Sequence, residues 1–170
     1  ALSEGTVRSR AVMATGVSLD GNVIFGTFAP GGGGSIAPVP VEDANARRGF
    51  RAFSDGSAGV EVGRFIGQGT GAALPTSSNA DGSAIVGNSV RWTLADYGQI
   101  SIVGISLSEP QAAGESWAWD EIIGTRPLSE TLGKQGVDTK GYKIVDARLS
   151  GDGATLIGQL LPDGAKTWAM

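Results

Sequence analysis

Apolar runs alternate with short polar turns along this chain, and one such pattern occurs three times. It consists of an Asp-Gly turn, a run of β-branched or apolar residues, and a second glycine five residues after the first. Asp-Gly between two apolar runs is a strong signal for a β-hairpin, because glycine adopts the positive φ that the turn needs. We therefore predict hairpins near residues 14–28, 75–87 and 145–158, each closed by a glycine that marks a bulge or a close approach of backbones. The residues that define the pattern are Asp20, Gly21 and Gly26, then Asp81, Gly82 and Gly87, then Asp152, Gly153 and Gly158.

A second and weaker pattern places an aromatic residue in short segments of period two. These segments are Phe50–Phe53, Val90–Thr93 with Trp92, Trp117–Asp120, and 166–169 with Trp168. The first three lead into a turn and another apolar run, at Val60–Gly63, Ile100–Gly104 and Ile122–Gly124. Two successive hairpins make a four-stranded meander, which is the unit of a propeller blade and needs neighbours to bury its faces.

The two patterns together predict an all-β protein made of tandem four-stranded antiparallel meanders in a β-propeller-like arrangement. The alternative is a β-sandwich of stacked hairpins. We expect one repeat-containing β domain over residues 1–170, with three to four meanders. A compact propeller, a portion of a larger ring and the sandwich all remain open at this point.

Other segments interrupt this regularity. Residues 29–46 form a predicted mobile insertion, whose Gly31–Ser35 run is either a native loop or an engineered linker. Pro127–Gly133 is the one predicted helical turn, with Ser129 as its cap and Gly133 as its stop. A strand at Thr167–Ala169 beside Thr6–Arg8 would bring the two ends of the chain together.

Composition supports a folded chain rich in turns. It has 28 glycines, 41% hydrophobic residues, no cysteine and a formal charge of −4. This charge argues against nucleic-acid binding, which needs clustered Lys and Arg. Without cysteine, stability must come from the packing of sheets. No apolar run is long enough for a membrane span, so we expect membrane attachment only through segments outside this chain.

Candidate chemistry is sparse because the chain has neither His nor Cys. This composition excludes Ser-His-Asp and Cys-His catalysis and the usual zinc sites. The remaining option is a carboxylate-based glycosidase that uses Asp120 and Glu121, but adjacent strand residues point to opposite faces. We predict no catalytic residues, no cofactor and no metal. The Asp residues before glycine lack the spacing of a calcium loop and are better explained as residues that stabilise their own turns.

Trp117 and Trp119 share one strand face next to Asp120, and these three residues are the candidate ligand-binding set, for stacking on a sugar. Packing in the core is the alternative for both tryptophans, as it is for Trp92 and Trp168. Arg51 and Arg91 are predicted to cover a strand face with their stems while the charge stays in water.

The Ser-x-Asp-Gly-x-x-x-x-Gly hairpin followed by a Phe/Arg/Trp strand resembles the HAF-type repeats of bacterial secreted and autotransporter passenger proteins. The stretch from Gly136 to Trp168 is most similar to this family, and the middle copy departs from it with Asn79 in place of Ser. The resemblance implies a non-catalytic adhesin, scaffold or passenger module at the extracellular or outer-membrane surface of a bacterium. Expected partners are a surface glycan or protein, or further copies through exposed sheet edges. A carbohydrate- or peptide-binding propeller is the alternative.

Overall fold

The computed structural model describes residues 12–28, 47–64, 72–94, 108–112 and 115–162. This part of the chain is mostly antiparallel β-structure with one short helix, so the all-β prediction is confirmed. Strands pair in three separate sheets. The elements are β1 (Val12–Val17), β2 (Val23–Phe28), β3 (Arg48–Phe53), β4 (Val60–Val62), β5 (Ala72–Ser78), β6 (Ala84–Leu94), β7 (Ser108–Ala112), β8 (Trp117–Asp120), β9 (Gly124–Pro127), α1 (Leu128–Lys134), β10 (Tyr142–Leu149) and β11 (Leu156–Pro162).

The first sheet is a four-stranded antiparallel meander in the order β1-β2-β3-β4. The Asp20-Gly21 turn joins β1 to β2, and Gly21 has a φ of +75°. A second turn joins β3 to β4, as predicted from the aromatic segment at Phe50–Phe53 and the apolar run that follows it. Two consecutive hairpins in one sheet confirm the predicted meander for this part of the chain.

The second sheet has the order β5-β6-β8-β9, and β7 also pairs with β6. Val90–Leu94 of β6 pairs with β7, whereas Ala84–Gly87 pairs with β8. The strands β7 and β8 therefore occupy successive lengths of one edge of β6. The sheet is a meander whose third position is filled by two short strands.

Two sequence predictions for the second sheet need correction. Val90–Thr93 is a strand, as predicted, but it is the second half of the 11-residue strand β6 and not a separate strand. The run Ile122–Gly124 is mainly a turn, and β9 begins at Gly124. The strand β7 lies in a segment for which the sequence patterns predicted no strand.

The third sheet consists of β10 and β11, joined by the Asp152-Gly153 turn. Between the second and third sheets lies α1, which confirms the predicted helical turn but not its cap. The residue at the N-terminal boundary is Pro127, which makes no side-chain cap bond. Ser129 instead donates its backbone N–H to Glu115 Oε1 at 2.6 Å, and Gly133 lies inside the helix.

The first strand of each sheet carries an irregularity of register at the same place relative to the hairpin. The pairing shifts between Ala14 and Gly16 in β1, between Pro75 and Ser77 in β5, and between Val145 and Arg148 in β10. Such bulges strengthen the local twist of a strand. All three hairpins thus share a bulge, an Asp-Gly turn and a second strand.

The core lies between sheets and forms two clusters, because the second sheet is covered on both faces. One cluster joins the first sheet to the second through Phe25, Val62, Ala73, Ile85, Trp117 and Trp119. The other joins the second sheet to the third and to α1 through Val86, Ala118, Leu128, Ile144 and Ala147. Adjacent residues of β6 point to opposite faces, so Ile85 and Val86 belong to different clusters.

Several predicted features lie outside the described residues. These are the insertion at residues 29–46, the strand at Thr6–Arg8 and the strand at Thr167–Ala169 with Trp168. Trp92 lies on β6, but its side chain is also outside the description. Within the described ranges, the three sheets do not form a closed barrel or ring.

Candidate functional site

The turn between β1 and β2 is held by bonds among its own residues. Ser18 Oγ accepts a hydrogen bond from Val23 N–H at 2.9 Å and donates to Asp20 Oδ1 at 2.6 Å. Asp20 Oδ1 also accepts from Asn22 N–H at 3.0 Å. This Ser-x-Asp arrangement links the two strand ends without help from the rest of the chain.

The turn between β10 and β11 repeats the arrangement. Ser150 Oγ accepts from Thr155 N–H at 2.9 Å and donates to Asp152 Oδ1 at 2.5 Å. Ala154 N–H donates to the same carboxylate oxygen at 3.0 Å. Gly153 has a φ of +72°, close to that of Gly21 in the first turn.

The middle turn reaches the same geometry with a different residue. Asn79 Oδ1 takes the place of the serine oxygen and accepts from Ala84 N–H at 2.9 Å. Asp81 Oδ1 accepts from Ser83 N–H at 3.0 Å and from the Ser83 hydroxyl at 2.7 Å. The departure of Asn79 from the Ser pattern therefore leaves the hydrogen bond across the turn intact.

These bonds lower the pKa of all three aspartates below the usual value of 3.8. The main cause is the serine hydroxyl for Asp20 and Asp152, and the Ser83 backbone N–H for Asp81. A carboxylate that accepts two hydrogen bonds in its own turn has fewer lone pairs to offer a cation. Among the described residues, no group of three or more acidic side chains is placed to hold a metal ion.

Hydrogen bonds also join the three hairpins to one another in chain order. Asp20 N–H donates to Ala80 O at 3.1 Å, and Ala80 N–H donates to Gly151 O at 2.6 Å. A row of backbone bonds therefore runs from the first turn to the second and from the second to the third.

The bulge threonines make a parallel set of links between sheets. Thr15 Oγ1 donates to Pro75 O at 2.8 Å, and Thr76 Oγ1 donates to Ala147 O at 2.8 Å. Each threonine reaches from the first strand of its own sheet to the first strand of the next. The same side chain at the same position thus joins the first sheet to the second and the second sheet to the third.

Trp117 and Trp119, two of the three candidate ligand-binding residues, lie in the core. Trp117 is 0% exposed and Trp119 is 8% exposed, so the expected exposed stacking face is not present and core packing is their role. Gly87 and Gly63 make room for the Trp117 ring, because a Cβ at either position would overlap it. A pattern of alternating aromatics on one strand could not distinguish these two outcomes.

Arg51 is buried, contrary to the prediction that its charge stays in water. It is 5% exposed, and its Nε donates to Gly82 O at 2.9 Å. The guanidinium carbon lies 4.4 Å from the Phe53 ring centroid and 5.2 Å from that of Trp119. Its Nη2 pairs with Glu121 Oε1 at 2.8 Å. Arg51 therefore fastens the first sheet to the second.

Asp120 supports the turn between β8 and β9. Its Oδ1 accepts from Ile122 N–H at 2.9 Å and from Ile123 N–H at 2.7 Å, and its Oδ2 pairs with Arg126 at 2.6 Å. Burial raises the pKa of Asp120, but the bonds from Ile123 N–H and Arg126 outweigh it, so the pKa is lowered overall. Asp120 and Glu121 are each paired with a different arginine, as expected for adjacent residues that point to opposite faces.

The turn that Asp120 supports presents two isoleucines to solvent. Ile122 is 95% exposed and Ile123 is 58% exposed. We call these two residues the isoleucine tip. The sequence analysis missed it, because it assigned the two isoleucines to a strand. The signal that could have revealed it is Asp120 itself, since Asp commonly caps a turn two residues ahead.

The remaining glycines of the pattern mark close approaches. A Cβ on Gly26 would lie 2.8 Å from Ala14 Cα, and one on Gly158 would lie 3.1 Å from Ile144 Cγ2. Gly82 combines a φ of +69° with contact to Val23 of the first sheet. Glycine is therefore needed here both for turn conformation and for the packing of one hairpin on the next.

Within the described ranges, no helix is both long and apolar enough to cross a bilayer. The chain was also compared with family models, curated proteins and solved structures. No family model, curated protein or solved structure matches this chain.

Proposed function

We propose that this chain is a non-catalytic, propeller-like repeat domain that serves as a scaffold or adhesin module of a bacterial secreted or cell-surface protein. The observation that carries the proposal is the serial link between sheets. Thr15 and Thr76 make equivalent bonds to the next sheet along the chain. Modules that are linked in series, each to the next, present an extended surface for binding.

The propeller-like reading is supported by the way the sheets converge at their turns. Leu19 of the first turn approaches Gly151 of the third turn, and a Cβ there would lie 3.9 Å from Leu19 Cδ2. The first and third turns thus come close to each other although the second sheet separates their sheets. Blades that fan around an axis bring their inner strands together in this manner.

The proposed binding surface is the isoleucine tip. Ile122 is nearly fully exposed and Ile123 is more than half exposed, and exposed apolar side chains that a turn presents together mark sites of interaction. Asp120 and Arg126 hold this turn through the bonds described above. Apolar side chains favour a protein or peptide partner over a glycan, which would need an exposed aromatic face.

An adhesion assay tests the binding part of the proposal. Beads coated with the purified chain are flowed over immobilised extracellular-matrix proteins, peptides and polysaccharides. We expect retention on one of the protein surfaces, reduced several-fold by the double substitution I122S/I123S. The matched control is V137S, which changes a residue that is 47% exposed and lies in a different loop, between α1 and β10. Equal retention of all three chains would contradict binding through the tip.

A turnover assay tests the non-catalytic part. The chain is incubated with a panel of glycosides, and released reducing sugar is measured for the wild type, D120N and E121Q. We expect no release from any of them. Release that D120N or E121Q abolishes would instead establish the carboxylate-based glycosidase.

The proposed surface location has its own test. Intact cells of the source bacterium are treated with a protease that cannot enter them, and the released peptides are identified. We expect peptides of this chain among those released, and their recovery only after lysis would contradict a surface location.

A further inference from the structure

The second strand of each sheet follows the same Asp-Gly turn, but the surroundings of the three strands differ. In the first two sheets, β2 and β6 are paired along both edges and are mostly buried. Within the described ranges, β11 pairs only with β10, and most of its residues are exposed, including Ile157 at 69% and Leu160 at 59%. A strand with an unpaired edge and exposed apolar side chains is a template for a further strand.

The second glycine of each hairpin pattern indicates what this edge accepts. Gly26 and Gly87 are buried, whereas Gly158 is exposed. Strand register places Phe50 of β3 opposite Gly26, and Trp117 of β8 opposite Gly87. Each of the first two sheets therefore pairs its pattern glycine with an aromatic residue on the next strand of the sheet. By equivalence, the open edge of β11 is expected to take a strand with an aromatic residue opposite Gly158.

Strand geometry shows which way such an aromatic side chain would point. A Cβ on Gly87 would lie 2.6 Å from Trp117 Cε2, so glycine is needed there to admit the ring. Residues directly opposite each other lie on the same face of a sheet. Gly158 shares its face with Leu156, which packs against the cluster between the second and third sheets. An aromatic residue opposite Gly158 would therefore extend this cluster.

The end of β11 and the residues that follow it have the sequence of a hairpin loop. Pro162, Asp163 and Gly164 come after Leu161, and a type I turn favours proline at its second position and glycine at its fourth. A type I turn that ends on such a glycine is a common three-residue hairpin loop. The loop would place Ala165 opposite Leu161 and direct the chain back along the unpaired edge of β11.

The register set by this loop brings a tryptophan to the expected position. Counting from the loop, Trp168 falls opposite Gly158, just as Trp117 lies opposite Gly87. Turn chemistry and the pairing of glycine with an aromatic residue thus indicate one and the same register. Both tryptophans are followed by alanine and a large apolar residue, at Ala169-Met170 and Ala118-Trp119.

We propose that residues 165–170, which lie outside the described residues, form a third strand of the third sheet, antiparallel to β11 and with Trp168 on Gly158. This strand fills the edge that would otherwise accept a strand of another chain. Its own free edge is the one that the predicted pairing with Thr6–Arg8 would use. The proposal goes beyond the proposed function and does not depend on the isoleucine tip.

Disulfide trapping tests the pairing, because the chain has no cysteine of its own. The register places Gln159 opposite Thr167, and opposite residues have Cα atoms about 4.5–5.5 Å apart, which suits a disulfide. We expect Q159C/T167C to form a disulfide within one chain under mild oxidation. Q159C/K166C is the matched control, because Lys166 would point to the other face, and its yield should be several-fold lower. Mass spectrometry without reductant measures both yields.

Hydrogen exchange of the wild-type chain gives a second measurement that needs no substitution. Alternate amides of an antiparallel strand face its two neighbours. With the proposed strand in place, the amides of β11 that face away from β10 should be protected to the same degree as those that face β10. Exchange of this half of the amides at the rate of an exposed chain would contradict the pairing.

Three outcomes of the trapping experiment would also overturn the proposal. They are no disulfide in Q159C/T167C, equal yields in the two double variants, and a disulfide that joins two chains. The last result would show that the edge of β11 takes its strand from a second copy. None of these outcomes bears on binding by the isoleucine tip, so they are distinguishable from failure of the proposed adhesive role.

Discussion

At the scale of single residues, Arg51 is the one charged residue among the described residues that is buried. Its guanidinium is shielded from water, but it contacts a carbonyl oxygen, a carboxylate and two aromatic rings. A buried charge is tolerated only under such conditions. Period-two alternation correctly placed Arg51 on a strand, but could not show that Trp119 and Gly82 of another sheet would surround it.

Replacing this arginine tests its role. We expect R51M to lower the free energy of unfolding by about 2–4 kcal/mol, because Gly82 O loses a charged hydrogen-bond donor and the contacts of the guanidinium with the Phe53 and Trp119 rings are lost. R48A is the matched control, since Arg48 pairs with Glu61 at the surface, and it should cost about 0–1 kcal/mol. Urea unfolding followed by tryptophan fluorescence measures both. Equal losses would show that burial adds nothing to the Arg51 contacts.

Glycines in the core leave room for the Trp117 ring, and substitution of Gly87 tests whether that room is needed. A Cβ on Gly87 would lie 2.6 Å from Leu74 O and would overlap the Trp117 ring, so G87A should destabilise the protein by about 1–3 kcal/mol. Gly133 lies in α1, and a Cβ added there would have no atom within 4 Å. Because alanine has a higher helix propensity than glycine, G133A should stabilise the protein by up to about 1 kcal/mol. Thermal unfolding of the two variants is the measurement. A neutral G87A would show that the Trp117 ring can move aside.

At the scale of elements, each hairpin turn is held mainly by its own side chains. These accept hydrogen bonds from backbone N–H groups two or five residues away, whereas the N–H groups of Asp20 and Ala80 donate to the next hairpin. For this reason the sequence predicted their places well. The cap of α1 behaves differently, because Ser129 N–H bonds to Glu115, fourteen residues away. A local rule that looks for a polar cap could not predict that partner.

The turn aspartates give stability a defined dependence on pH. Their pKa values are lower in the folded chain than the usual 3.8, so protonation is coupled to unfolding. The stability they contribute is present above about pH 5 and is lost as the pH falls below about 4, through the folded pKa values. Urea unfolding at a series of pH values from neutral to acidic measures this loss.

The triple variant D20N/D81N/D152N is the control for the acid effect. Asparagine keeps an oxygen acceptor in each turn but does not titrate in this range. We expect a shallower fall in stability at acidic pH than for the wild type. The same slope in both chains, or a loss that begins at neutral pH, would assign the acid sensitivity to other groups.

At the scale of the whole molecule, hydrogen bonds between sheets contribute to the free energy of unfolding. Thr15 and Thr76 make single hydrogen bonds across different interfaces, so T15V and T76V should each cost about 1 kcal/mol of unfolding free energy. The two effects should not simply add in the double variant, because Thr15 bonds to the carbonyl of Pro75, the residue that precedes Thr76, and neighbouring sites couple by about 0.5 kcal/mol or more. Unchanged stability in both variants would remove these bonds as determinants of sheet order.

The sequence by itself determined where the hairpins lie, since an Asp-Gly turn and its flanking strands are specified by residues within a short window. It also determined that Ile24, Ile85 and Leu156 point away from Phe25, Val86 and Ile157, because strand residues alternate. Only the tertiary structure decided which of these faces is covered, how far β6 extends, and that Trp117, Trp119 and Arg51 are buried between sheets. The reason is physical: alternation and turn chemistry depend on neighbours in sequence, whereas burial depends on a second sheet whose residues lie tens of positions away.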